Sequence, residues 1–276
     1  MRPRSIRLPW RELLQTLSVL MLLAGGNSAR AEMFDHADWD GLLSRHVIEI
    51  NGGHASEVDY TGMAREQALL KSYLQKLEQV TQNRFDGWSK DEQLAFLINA
   101  YNAWTVELIL SKYPDLESIK DLGSIFRSPW KKRFIPLLGE ERSLDDIEHT
   151  LIRGSGRYQD PRIHFAVNCA SIGCPALGNQ AYEGDRLQAQ LELAANRFLG
   201  DRTRNYFRDG SLHVSSIFKW YRGDFEKGWR GYQSLGEFLA GYGKALSLDA
   251  TTVSSLRDNR TELEFLDYDW ALNKKR

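Results

Sequence analysis

The sequence predicts an α+β fold, a mainly helical domain packed on a small, mostly antiparallel sheet. Three observations carry this. Apolar residues recur at spacings of three and four along most of the chain, runs with strand character are short, and strands and helices do not alternate as a doubly wound sheet requires. Residues 34–47 (FDHADWDGLLSRHV) and 63–80 (MAREQALLKSYLQKLEQV) have the pattern of surface helices. Ser89-Lys90-Asp91-Glu92 is a capping-box pattern that opens a helix over 90–112, stopped by Pro114. From 94 to 110 that helix is apolar nearly all round, which makes it the expected buried centre. Residues 133–143 predict two short strands around Gly139, and Ser143-Leu144-Asp145-Asp146 then caps a helix that Gly154 ends. Residues 162–169 (RIHFAVNC) predict a strand, the turn-rich stretch 171–178 a loop, and 185–199 an amphipathic helix. A hairpin turning on Asp209-Gly210 is expected over 204–215, followed by helices over 234–245 and 250–257 and a last strand over 263–265.

The 276 residues are 42% apolar, 26% charged and 11% aromatic, which excludes a disordered or collagen-like chain. The first 31 residues differ from the rest. Arg2, Arg4, Arg7, Arg11 and Arg30 face one acid, Glu12, and an apolar run over 17–24 leads to Gly25-Gly26 and the small-residue site Ala29-Arg30-Ala31. This is the pattern of a signal peptide over 1–31, cleaved before Glu32. The run is about half the roughly 20 residues that span a bilayer, and no Cys follows the site as in a lipoprotein. No transmembrane segment is expected after cleavage. Residues 32–276 carry no repeat or low-complexity linker and read as a single domain, periplasmic or secreted. Their 31 basic and 36 acidic residues give a net charge of -5, which argues against nucleic acid or anionic lipid as the partner. A small-molecule, peptide or cell-envelope ligand remains.

Polar residues where the pattern demands apolar ones mark candidate chemistry, because burying them requires arranged partners. Glu148 falls on the apolar face set by Leu144, Ile147 and Leu151, with His149 and Arg153 four apart on the other side, Arg153 as a candidate substrate-binding residue. Such a carboxylate acts as a catalytic acid or belongs to a buried ion pair. Asn99 and Asn102 share one face of the buried helix and would orient a catalytic group, bind substrate or tie loops to the core. Strand alternation over 162–169 would put His164 and Asn168 on one face and Cys169 on the other. A Cys169 nucleophile would then more naturally take His149 as base, or His164 after a bulge, and Cys174 is the second candidate thiol. Against a thiol mechanism, two cysteines five residues apart in an exported chain suit a disulfide contributing on the order of 2 kcal/mol. No zinc pattern, phosphate loop, His-Glu-x-x-His helix, calcium loop or serine elbow occurs, so no metal or cofactor is expected.

The motifs Val58-Asp59-Tyr60, Leu97-Ile98-Asn99-Ala100-Tyr101-Asn102, Asp145-Asp146-Ile147-Glu148-His149, His164-Phe165-Ala166-Val167-Asn168-Cys169 with Cys174-Pro175, Phe218-Lys219-Trp220-Tyr221 with Asp224-Phe225, and Tyr268-Asp269-Trp270 occur in that order. In this the chain resembles the domain-of-unknown-function family 547, whose members usually carry Ser before the second Cys, where this chain has Gly173. The resemblance implies one cleft formed by Glu148, His149, Asn99, Asn102, His164, Asn168 and the two cysteines. Two functions are expected to compete. One is a thiol-dependent hydrolase or acyltransferase on an amide or thioester, with Cys169 as nucleophile, His149 or His164 as base, Glu148 orienting the base and Asn102 or Asn168 as oxyanion or substrate donor. The other is a non-catalytic binding or scaffold protein with a Cys169-Cys174 disulfide and Glu148 and Arg153 in a structural network. Acid catalysis by Glu148 on a polysaccharide is a third possibility, for which no second carboxylate stands out.

Overall fold

A computed structural model of the chain describes residues 33–124 and 128–276, so the expected signal peptide and the cleavage before Glu32 lie outside the described residues. Helix α1 (Ala37–His46) runs directly into an unanticipated antiparallel hairpin, β1 (Val47–Ile50) and β2 (Ala55–Val58), whose turn uses Gly52 and Gly53 at φ 68° and 88°. The stretch expected as one helix divides into α2 (Tyr60–Arg65) and α3 (Gln67–Glu78). The break falls at Glu66, whose carboxylate pairs with Arg45 and His46 of α1 at 2.6 and 2.8 Å. After the short α4 (Gln82–Asp86), α5 (Lys90–Leu110) starts at the expected capping box: Glu92 N–H donates to Ser89 Oγ and Ser89 N–H to the Glu92 carboxylate. Buried almost all round, α5 is the central helix, packed against α3.

Strands β3 (Ile135–Leu137) and β4 (Glu140–Arg142) form the expected hairpin around Gly139. The helix after Ser143 is present with its cap, the Ser143 hydroxyl and Asp146 exchanging hydrogen bonds, but Asp146–Arg153 winds as a π-helix. The predicted strand over 162–169 is a 3-10 helix, Pro161–Phe165, followed by a loop. Pro161 presets the first helical turn, and Asp160 caps it by accepting from the Arg162 N–H at 3.0 Å. The run is buried on every side, and a continuous apolar run has the same pattern in a buried strand and a buried helix.

Helix α6 (Leu187–Gly200) packs on that 3-10 turn. Strands β5 (Tyr206–Arg208) and β6 (Ser211–Ser215) form the expected hairpin, with Asp209 and Gly210 both at positive φ as a type I′ turn requires. Short helices α7 (Ile217–Trp220) and α8 (Arg222–Phe225), then α9 (Leu235–Gly241) and α10 (Ala250–Arg257), precede β7 (Glu262–Leu266), which pairs parallel to β6. The class is α+β, with three separate small sheets among the described residues instead of one. Phe165, Phe198, Phe218, Phe225 and Phe238 fill the core between α6, β6, α8 and α9. Residues 268–275 then run back across the molecule. Asn273 C=O accepts from Val58 of β2, while Asp269 and Ala271 carbonyls accept from Gly173 and Ile172 at 2.8 Å. Among the described residues no helix is long and apolar enough to cross a membrane.

Candidate active site

The π-helix, the 3-10 helix, α5, the α7–α8 junction and the C-terminal strap enclose a cavity of about 210 Å³. Glu148 lines it, 5% exposed, as expected from its place on the apolar face. Above it stand the hydroxyls of Tyr101 from α5 and Tyr221 from the α7–α8 junction. Burial raises both phenols well above their ordinary value, and the charge of Glu148 and hydrogen bonding to it raise them further. Asp145 shares the cavity. Burial holds its carboxyl up, with His149 opposing and Glu148 reinforcing.

His164, also a lining residue, is fixed from two directions. Its Nε2 lies 2.9 Å from Asp224 Oδ2, and its ring stacks on Tyr221 at 4.0 Å and 20°. A carboxylate only accepts, so Nε2 carries the proton and Nδ1 keeps the lone pair. Burial lowers the imidazole below its ordinary value despite the pull of Asp224, so the ring is neutral at neutral pH. Burial pushes Asp224 up, but hydrogen bonds from His164, Arg153 and Lys227 outweigh it and hold the carboxyl far below the usual range.

His149 is arranged differently. Arg153 Nη1 donates to its Nδ1 at 2.8 Å, which occupies that lone pair and leaves the proton on Nε2, 3.7 Å from Asp145. Of the two candidate bases, His164 is therefore the one with a free basic nitrogen and an orienting carboxylate. Glu148, 3.8 Å from His149, orients neither histidine as closely as Asp224 orients His164.

Both sulfurs line the same cavity and are joined in a disulfide, with Cα atoms 6.1 Å apart. The disulfide is one of the two states expected of these cysteines, and in it neither sulfur is a nucleophile, because each is bonded to the other. One expectation is corrected: Cys169 and His164 are not on opposite faces of a strand, because no strand forms there. Tyr268 Oη lies 3.2 Å from each sulfur. Gly173 is packed so closely that a Cβ would lie 2.9 Å from both the Asp269 carbonyl and the Tyr268 ring.

The asparagines do not enter the cavity. Asn102 Nδ2 donates to Ala166 C=O and its Oδ1 accepts from Asn168 N–H, Asn168 spans Pro175 C=O and Ala170 N–H, and Asn99 spans both backbone groups of Tyr182. With both ends of each amide bonded to backbone, the expected substrate or oxyanion roles are replaced by loop clamping. Arg153, expected to bind substrate, instead bridges Asp224 at 2.5 Å and His149, outside the cavity lining. Sequence reasoning gave no role to Asp224, Tyr101, Trp130 or the wall formed by Trp220, Tyr221, Tyr268 and Trp270. The signal for most of these was membership in the ordered motifs. Among the described residues no group of three or more His, Cys, Asp or Glu is placed to hold a metal ion.

The chain is thus an α+β protein in which an Asp224-held histidine, a buried glutamate and a cystine line one pocket under an aromatic wall. Residues 85–199 match the family model described as "Protein of unknown function, DUF547", so this segment of the chain is similar to that family. The match contains Glu148, His149, His164 and both cysteines, whereas Asp224 and the aromatic wall lie beyond it. No curated protein and no solved structure matches the chain.

Proposed function

We propose that the pocket is a thiol acyl-transfer site, a hydrolase or acyltransferase on an amide or thioester, closed in its resting state by the Cys169–Cys174 bond and working outside the cytoplasm. The observation that carries this is His164, which lines the same cavity as Cys169 and is held by Asp224 outside the lining, the arrangement of a base oriented by a third group. A dithiol reductant opens the site, passing two electrons and two protons to the cystine and becoming a disulfide itself. Cys169, less buried than Cys174, is then the nucleophile. His164 Nδ1 takes its thiol proton as sulfur attacks the carbonyl carbon. That proton passes to the departing amine or thiol as the C–N or C–S bond breaks, leaving a thioester on Cys169. Water or an acceptor, deprotonated by the same nitrogen, releases the acyl group. Tyr268 Oη, beside the sulfur, is the nearest donor to the developing oxyanion.

The second reading, a binding protein with the cystine as a permanent brace, is favoured by the closed disulfide. Alkylation with iodoacetamide followed by peptide mass mapping separates the two. Acyl transfer requires no labelling before reduction, fast labelling of Cys169 at neutral pH after it, and a much slower reaction in His164→Ala. If reduced Cys169 reacts no faster than an ordinary thiol, or equally fast without His164, the binding reading stands.

A further inference from the structure

Trp220, Tyr268 and Trp270 stand side by side at the cavity, with centroids 4.8 Å (Trp220–Tyr268), 4.5 Å (Tyr268–Trp270) and 5.7 Å (Trp220–Trp270) apart. Trp220 is nearly half exposed, so part of its indole surface is accessible. Among the described residues that line the same cavity, the carboxylates of Asp145 and Glu148 are the acidic groups and there is no Lys or Arg. Arg153 borders the cavity without lining it, bonded to Asp224 and His149 and lying over the Tyr221 ring at 4.7 Å. Aromatic faces and carboxylates together are complementary to one ligand chemistry, a positively charged nitrogen carrying apolar carbon. The chain itself uses this wall that way. Lys120 places its ammonium 3.8 Å from the centroid of Trp270. Burial raises the phenols of Tyr101 and Tyr221, and the negative charge of Glu148 raises both further. At about 210 Å³ the cavity takes a small head group and not a whole drug-sized molecule.

We propose that the pocket recognises an organic ammonium group, seated against Trp220, Tyr268 and Trp270 and neutralised by Glu148 and Asp145. This rests on the acyl-transfer reading only in calling the occupant a substrate group, and it brings the cation next to the disulfide and His164.

The test is calorimetric titration of the oxidised protein, without reductant and at low salt, with choline and with its uncharged tert-butyl isostere. Choline is expected to bind saturably and at least about tenfold more tightly than the isostere, the difference that the charge supplies. Glu148→Gln should weaken choline several-fold and leave the isostere unchanged. Asp145→Asn, at a more exposed position, gives the same readout if the Glu148 variant does not fold. Equal affinity for the two probes, or no saturable choline binding by protein with a native circular dichroism spectrum, overturns the proposal. Because no free thiol is involved, choline binding with slow Cys169 alkylation sinks the catalytic reading alone, and fast alkylation without choline binding sinks the ammonium site alone.

Discussion

Removing the Asp224 carboxylate should be among the costliest single changes near the pocket. Asp224→Ala deletes the acceptor for three donors, and the structure shows which of them matter. The Lys227 side chain is 60% exposed, so its contact at 2.7 Å contributes little. The His164 side chain is 2% exposed and that of Arg153 26%, so both lose a hydrogen bond they cannot fully replace with water. Charge-assisted bonds of this kind are worth about 1.5–3 kcal/mol each, and with partial relaxation of Arg153 the expected loss is about 3–4 kcal/mol. For a domain of this size that lowers Tm by about 10 °C. The sign with pH follows from the depressed carboxyl. Its stabilisation is complete above the ordinary aspartate value of 3.8 and is lost as pH falls below it toward the lower folded value. Urea melts of wild type and Asp224→Ala should therefore differ by a constant amount from mildly acidic to neutral pH. Below about pH 4 the gap should narrow by about 1.4 kcal/mol per pH unit. A gap under about 1 kcal/mol at neutral pH, set against the estimate for these bonds, would refute the reasoning, as would a gap equally wide in strong acid.

Three further outcomes are expected. Burial lowers His36 to about 4, against the charge of Asp35, so its neutral form stabilises the fold above its ordinary value of 6.5, and that stability drains away as pH falls toward 4. Wild type should lose about 3 kcal/mol more than His36→Gln over that interval, measured by urea midpoints. Gly173→Ser should cost about 1–3 kcal/mol in thermal melts and change tyrosine fluorescence, because its Cβ meets the Asp269 carbonyl and the Tyr268 ring. Asn102→Ala should cost about 2–4 kcal/mol by the same assay, since it leaves Ala166 C=O and Asn168 N–H buried without partners.

Where a local chemical rule decides the backbone, the fold was legible. The Ser89–Glu92 box, the Asp209-Gly210 turn and the Ser143–Asp146 cap each announce an element within four residues. Glu148 was legible too, because a carboxylate on an apolar helical face stands out wherever it occurs. The run 162–169 was not, since burial on every side removes the periodicity that separates strand from helix. The hairpin β1–β2 carried a signal in Gly52-Gly53 but follows α1 with no residue between to mark the change. Asn99, Asn102 and Asn168 were visible as buried amides, yet what an amide bonds is settled by segments more than sixty residues away in the case of Asn102 and more than eighty for Asn99. Asp224 shows the same limit, meeting His164 across sixty residues of chain.

The C-terminal strap also bears on the order in which the molecule assembles. Asn273 closes onto Val58 and accepts from the Tyr60 hydroxyl across 213 residues, and the same few residues deliver Tyr268 and Trp270 to the cavity. Contacts so distant in sequence carry a large loop-closure entropy and tend to form after local ones. In a refolding experiment, helix formation around α5 should be seen early by circular dichroism, while burial of Trp270 beneath Lys120 should be among the last events. Until then the chain can hold its helices and its cystine loop without yet having a pocket.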